Sequence, residues 1–200
     1  MNFDALQINS RQRYRLLSGG VTPRPIAWIS TCSKNGVDNI APYSFFTVAS
    51  CTPPVLLFTQ VKPRTGFDKD TLQNLIETGE CVVNVVSAEL MEKMNMTSAS
   101  LDAELSEFVH AGLEHIPSQV VTPLSVANSP VRYECTLRDT LAISDSPGSG
   151  TVVLLDVKSV YVRDDLFVDG VINQAEIDTV GKMGGDGYCI ASGLVKLGRP

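Results

Sequence analysis

The sequence predicts a mainly β fold with a few inserted helices, a closed or nearly closed antiparallel barrel. Two observations carry this. Short runs rich in β-branched and aromatic residues recur along the chain, with Gly, Pro, Asn or Ser between them, as strands joined by turns require. Only one stretch, near residues 70–79, carries a complete set of helix signals. No internal repeat and no linker breaks the 200 residues, so a single domain over 1–200 is expected.

Ser10 is placed to cap a short helix, Arg11 to Leu17, which Gly19-Gly20 would stop. The chain is organised around the next stretch, Thr22-Pro-Arg-Pro-Ile-Ala-Trp-Ile-Ser-Thr31. Pro23 and Pro25 bracket Arg24 and exclude a helix, so Ile26 to Thr31 is entered extended. Ser33-Lys-Asn-Gly36 reads as a two-residue hairpin turn, because Asn-Gly tolerates positive φ. The returning strand, Asn39-Ile-Ala-Pro-Tyr-Ser-Phe-Phe46, carries Pro42 in its middle. A proline there takes one N–H out of the ladder, so the strand must be an edge, bulged or bent. Its backbone then becomes free to face something other than protein.

Cys51-Thr-Pro-Pro54 breaks the chain and releases an apolar strand, Val55 to Thr59, and Lys62 to Gly66 reads as a loop. Asp70 stands at an expected N-cap, with Gln73 three residues on, Leu72, Leu75 and Ile76 on one face, and Gly79 at the end. That defines a helix from Thr71 to Thr78. Cys81 to Val86 is strand-like and Ala88 to Met94 a short helix. Asn95 to Gln119 is polar and mixed, an excursion outside the barrel with a helix around Ala103 to Val109. Val131 to Leu137 alternates like a half-buried strand. After a turn at Ser146 to Gly150 comes the longest strand, Thr151 to Arg163, and then a glycine-rich loop, Gly181 to Tyr188.

Composition narrows the function classes. An apolar content of 44% suits a real core, and a formal charge of −6 argues against nucleic acid or an anionic membrane as partner. No apolar run reaches the length of a membrane span and the first residues have no signal-peptide pattern, so a soluble cytoplasmic protein is expected. Five widely spaced cysteines with no Cys-x-x-Cys read as small buried residues, with no metal site. His110 and His115 read as solvated. With so few histidines and no clustered carboxylates, no catalytic side chain is assigned, and redox or group-transfer chemistry would need a borrowed cofactor.

Two places can hold a ligand. At Lys69-Asp70-Thr71 the unpaired amides of a helix start, a lysine and a hydroxyl form an anion site of phosphate size. Taken alone, the triplet reads more simply as capping by Asp70 beside a solvated Lys69. Trp28 and the aromatics of Tyr43-Ser44-Phe45 read as core packing. The prolines and small residues tilt the reading toward a wall where a planar polar ring takes hydrogen bonds from the backbone of Asn39 to Ser44.

The ordered set of these motifs resembles the FMN-binding split-barrel proteins of the flavin reductase-like group. It comprises the Pro23–Thr31 and Asn39–Phe46 runs, Pro53-Pro-Val55, Lys69-Asp-Thr-Leu-Gln-Asn74, Glu77-Thr-Gly-Glu80 and Val82-Val-Asn-Val85, then Ser106-Glu-Phe108, Ala111-Gly-Leu113, Ser129-Pro-Val131 and Val180 to Tyr188. The likeness runs from about Tyr14 to Pro200. It implies a six-stranded antiparallel Greek-key split barrel, a homodimer with FMN near the subunit interface, and electrons passed from NAD(P)H to an acceptor or partner oxygenase. By the same resemblance Trp28, Ser30 and Thr31 line the ribityl chain or ring edge, and Asn39, Ala41, Pro42, Tyr43 and Ser44 contact ring and chain. Lys69, Asp70 and Thr71 hold the phosphate, which reverses the simpler reading of that triplet. Ser106-Glu107-Phe108 and the glycine loop close the pocket, the loop being one that a second subunit could supply.

One departure bears on the reaction. Some reductases of this group carry a histidine near the C-terminus that helps with the nicotinamide, whereas here the region reads Gly184-Gly-Asp-Gly-Tyr-Cys189. An FMN-holding electron carrier or sensor without its own NAD(P)H oxidation is therefore the alternative. A barrel for another phosphorylated cofactor, such as pyridoxal phosphate, is a third reading.

Overall fold

The computed structural model describes residues 1–63 and 69–198. Of the loop expected at Lys62 to Gly66, Arg64 to Gly66 lie outside the described residues, as do Arg199 and Pro200 at the end of the resemblance. A first helix α1, Ser10–Gly20, precedes strands β1, Ala27–Cys32, and β2, Asp38–Tyr43. Strands β3, Phe46–Cys51, and β4, Pro54–Val61, lead to helix α2, Asp70–Thr78, and strand β5, Glu80–Asn84. Two short helices, α3 Met91–Met96 and α4 Glu107–His110, come before the long strands β6, Val131–Ala142, and β7, Gly150–Val162. Near the end, β8, Val180–Lys182, pairs with β9, Tyr188–Ile190, and with the two residues Arg24–Pro25.

Seven strands form one sheet in the order β2-β1-β5-β6-β7-β4-β3, with every pairing antiparallel. Its two outermost strands are consecutive in the chain, separated only by Ser44 and Phe45. One bent strand thus belongs to both edges; against the six strands expected, the sheet has seven because the bend divides that strand in two. The closure is held by hydrogen bonds: Tyr43 Oη donates to Gln60 Oε1 of β4 at 3.0 Å, and the Thr59 amide donates to the Phe45 carbonyl at 2.8 Å. Pro42 sits just before this bend, opposite Trp28, where its missing N–H costs the ladder least.

Strand β1 is buried on both faces, which is why its apolar run is nearly unbroken. Ala27 and Ile29 point into the barrel with Tyr43, Phe58, Leu75, Val83, Val153 and Leu155. Ile26 and Trp28 point outward into a second core, closed by Val86, Leu90, Met94, Phe108 and Leu113. The excursion after Asn95 is therefore the outer cover of β1. Trp28 is fully buried, and its Nε1 donates to Thr97 Oγ1 at 2.9 Å. Trp28→Phe should keep most of the apolar burial but remove the bond that Thr97 Oγ1 accepts, its donation to the Met94 carbonyl at 2.7 Å remaining, and so lower stability by about 1 kcal/mol in denaturant titration.

Several local expectations are corrected. The cap of α1 is Asn9, whose Oδ1 accepts from the Gln12 amide at 2.9 Å, and the helix runs through Gly19-Gly20 to a cap at Val21. The hairpin after β1 is longer than two residues. Ser33 accepts from the Gly36 amide, and Gly36 alone takes positive φ, +80°, before the chain returns at Val37. Asp70 is the first residue of α2 and Lys69 occupies the cap position, with no side-chain capping bond there; Gly79 ends the helix at φ 77° as expected. The cysteines are all free, but only Cys81 and Cys135 are buried, and Cys51 is exposed. Both histidines lie at the surface.

Candidate functional site

The bend between β2 and β3 forms one wall of an open cleft of about 880 Å³. Pro42, Tyr43, Ser44 and Phe45 supply that wall where the strand leaves β1 after Tyr43 and turns to pair with β4. The end of β4, Thr59 to Pro63, forms the floor, and the hairpin loop between β6 and β7 brings Ser144 and Ser146 to Ser149. That loop is fixed to the floor by Lys62 amide to Ser149 carbonyl and Gly148 amide to Lys62 carbonyl bonds, 2.8 and 3.1 Å. Helix α1 contributes Ser10, Arg13, Tyr14 and Leu17 to the lining.

The cleft is apolar along its wall and cationic at its margins, in a chain whose net charge is −6. Lys62 is paired with the exposed Asp145 at 3.2 Å, and Arg13 gives Nε and Nη2 to the carbonyls of Ala5 and Ile8. Lys69 makes no ion pair among the described residues; its ammonium lies 5.2 Å from the centre of the Tyr43 ring. Protein atoms crowd that ammonium at the cleft mouth although the residue is exposed, and their desolvation lowers its pKa, with Glu107 opposing. Burial raises the pKa of Tyr43, so its hydroxyl stays a neutral donor to Gln60.

The other sequence-derived residues lie behind this wall. Trp28 and Ser30 are fully buried, and Ser30 Oγ donates to the Leu124 carbonyl at 2.5 Å. Ala41 belongs to the barrel core. Asn39, Thr31 and Thr71 form one buried cluster: Asn39 Oδ1 accepts from Thr71 Oγ1 at 3.0 Å and from Thr31 Oγ1 at 3.3 Å, while Asn74 Nδ2 donates to Thr31 Oγ1 at 3.1 Å. These bonds fasten the start of α2 to the β1–β2 hairpin and so hold Lys69 at the cleft. Asp70 turns to a separate hollow of about 220 Å³, shared with Asn39, Glu77 and Glu104. The cleft thus gathers Pro42, Tyr43, Ser44 and Lys69 of the expected set; Thr31, Asn39 and Thr71 fasten the helix start beside it, while Trp28, Ser30, Ala41 and Asp70 do not line it.

Glu107 completes the support. Its Oε2 accepts from Asn39 Nδ2 at 2.9 Å and from the Ile40 amide at 3.1 Å, capping an outward N–H of the edge strand. The glycine loop does not line the cleft. Tyr188 Oη donates to Asn95 Oδ1 at 3.0 Å, and Lys182 Nζ donates to the Gly185 and Gly187 carbonyls. Sequence reasoning missed α1 and the Ser144–Ser149 loop as lining, since neither carries a motif and only the closed barrel brings them together. Among the described residues no cluster of His, Cys, Asp or Glu could hold a metal ion, and no helix is long and apolar enough to cross a membrane.

Fold and cleft define a split-barrel protein whose larger described cleft has an apolar wall and a cation at its mouth. The chain belongs to the flavin reductase family, since residues 19–176 match the model described as "Flavin reductase like domain". An uncharacterized protein of Halalkalibacterium halodurans is 37% identical over 202 residues, spanning 100% of this chain and 97% of that protein. Among solved structures, nitrilotriacetate monooxygenase component B from Bacillus cereus superposes with a TM-score of 0.93 at 28% identity, over 98% of both chains. The 2-nitrobenzoate 2-nitroreductase NbaA of Pseudomonas fluorescens gives a TM-score of 0.90 at 27% identity, over 100% of this chain and 96% of the other. At the general level the protein is a flavin oxidoreductase, with a flavin as its cofactor.

Proposed function

We propose that the protein holds FMN in the cleft beside the bent strand and passes electrons from NAD(P)H to an acceptor or a partner oxygenase. The observation that carries this reading is the pairing of the Pro42–Phe45 wall with Lys69 poised above the Tyr43 ring. A flat ring system fits an apolar wall at the bend, where the chain passes through Ser44 and Phe45 between two strands. A terminal phosphate fits a lysine with no carboxylate partner among the described residues, beside a helix start with no side-chain cap. At about 880 Å³ the cleft lies in the upper part of the range usual for cofactor sites. Pro42, Tyr43, Ser44 and Phe45 would hold the ring, and Lys69 with the amides of Asp70 and Thr71 would hold the phosphate. Trp28, Ser30, Thr31, Asn39 and Ala41 would keep these groups in place.

When bound, a flavin supplies reversible two-electron transfer, which no side chain here provides. The protein's own part is to bind, orient and shield. Tyr43 stays neutral because of its burial, so it presents a fixed dipole at the wall and no titrating charge. The oxygenase partner is supported by the Bacillus cereus neighbour, a monooxygenase component, and a small acceptor by the Pseudomonas neighbour, a nitroreductase. A cytoplasmic homodimer with one domain per chain is part of the same reading.

The absence of histidine from Gly184 to Cys189 favours a second reading, an FMN-holding carrier without NAD(P)H oxidation of its own. Purified protein should be yellow, and anaerobic stopped-flow mixing with NADH or NADPH should bleach the flavin band. Bleaching by neither nucleotide leaves the carrier. A colourless protein that takes up no added FMN overturns both.

A further inference from the structure

Arg24 is a buried cation that the cleft's binding groups do not require. It is only 4% exposed, in a strand of two residues between α1 and β1. Its Nη1 donates to the Ser18 carbonyl and, at 3.0 Å, to that of Val21; its Nη2 donates to the Met183 carbonyl at 3.1 Å. Its Nε reaches Ser44 Oγ at 3.3 Å, and the guanidinium carbon lies 5.8 Å from the Phe45 ring centre. Both Ser44 and Phe45 face the cleft, so the charge stands one side chain behind the wall.

The carbonyls satisfy its hydrogen bonds but do not cancel its charge. Arg24 makes no ion pair among the described residues, and its partner on the neighbouring strand is another cation, Lys182. A buried charge of this kind is costly, and an apolar side chain would fill the space more cheaply. Its field, little screened by protein, reaches into the cleft through Ser44 and Phe45.

We propose that Arg24 biases the redox equilibrium of whatever flavin the cleft holds, by favouring the reduced, more electron-rich cofactor over the oxidised one. This rests on the flavin reading above. A hydride brings two electrons and one proton from its donor, which leaves as the oxidised nucleotide. The acceptor ring system therefore gains one negative charge unless a second proton arrives from water. A fixed cation behind the wall stabilises that added charge at no cost in reorganisation. Arg24 touches no reacting atom in this arrangement; it acts through space.

The test measures binding of oxidised and of dithionite-reduced FMN, and the reduction potential against reference dyes, for the wild type, Arg24→Lys and Arg24→Gln. Wild type should bind reduced FMN at least as tightly as oxidised. Arg24→Gln should lower the reduced-to-oxidised affinity ratio about tenfold, about 30 mV for a two-electron couple. Arg24→Lys, which keeps the charge but loses the fork of hydrogen bonds, should stay within about twofold of wild type. A purely structural staple predicts the opposite pattern, with Arg24→Lys as damaging as Arg24→Gln and the ratio unchanged in both. If Arg24→Gln does not fold, the wild type decides: tighter binding of oxidised than of reduced FMN overturns the proposal. A wild type that binds neither form overturns the flavin reading itself, and this inference with it.

Discussion

Replacing Glu107 by alanine is expected to destabilise the fold by on the order of 3 kcal/mol, a fall in melting temperature of roughly 6–12 °C for a chain of this size. Both acceptor bonds converge on one carboxylate oxygen, at 2.9 Å from Asn39 Nδ2 and 3.1 Å from the Ile40 amide, and the residue is 5% exposed. Alanine leaves two buried donors without partners and frees Asn39, which also ties Thr31 and Thr71. Glu107→Gln separates the hydrogen bonds from the charge, because its amide oxygen can accept both. Burial raises the Glu107 pKa above its ordinary 4.5 despite those bonds. A raised carboxyl pKa means that the folded state holds the proton more tightly. The contribution of Glu107 is fully favourable below about 4.5 and is lost as pH rises through the folded value. The Glu107→Gln variant should therefore gain on wild type in melting temperature as pH goes from 4.5 to neutral. A constant difference across that range would show that the charge of Glu107 plays no part.

Lys69→Ala should weaken FMN by about 1–3 kcal/mol, roughly 5- to 150-fold, and riboflavin hardly at all. The lysine has no carboxylate partner among the described residues, so its removal orphans no group among them and the loss falls on the ligand phosphate. Its lowered pKa adds a pH signature. As pH rises toward that value the ammonium is lost, and FMN affinity should fall at alkaline pH while riboflavin affinity holds. Fluorescence titration of both ligands reads this directly. Equal losses for the two would place the phosphate elsewhere.

The strand pair around Trp28 and Pro42 was legible from residue types, because a proline in an apolar strand has few places to go. The helix after Lys69 was legible too, though its start was misread by one residue. Asp70 has the chemistry of a cap, but the backbone at Lys69 is the extended one, φ −71° and ψ 140°. Local propensity cannot resolve a one-residue shift when both residues suit a helix terminus. Trp28, Ser30 and Thr31 could not be placed from sequence as lining or support. The two faces of β1 are both apolar, so alternation carries no sign of which side holds a ligand.

By itself the sequence determined a mainly β chain, the position of its one strong helix, a bend at Pro42 and a family resemblance spread over nearly its whole length. These are properties of local backbone chemistry and of ordered motifs, and both survive in one dimension. Only the tertiary structure decided that the bent strand belongs to both edges of the barrel. It also decided that α1 and the Ser144–Ser149 loop meet at that bend, and that Asn39 and Glu107 work from behind the wall. It alone put the charge of Arg24 one side chain from the cleft. The physical reason is closure: residues far apart in the chain become neighbours only when the first and last strands of the sheet are one.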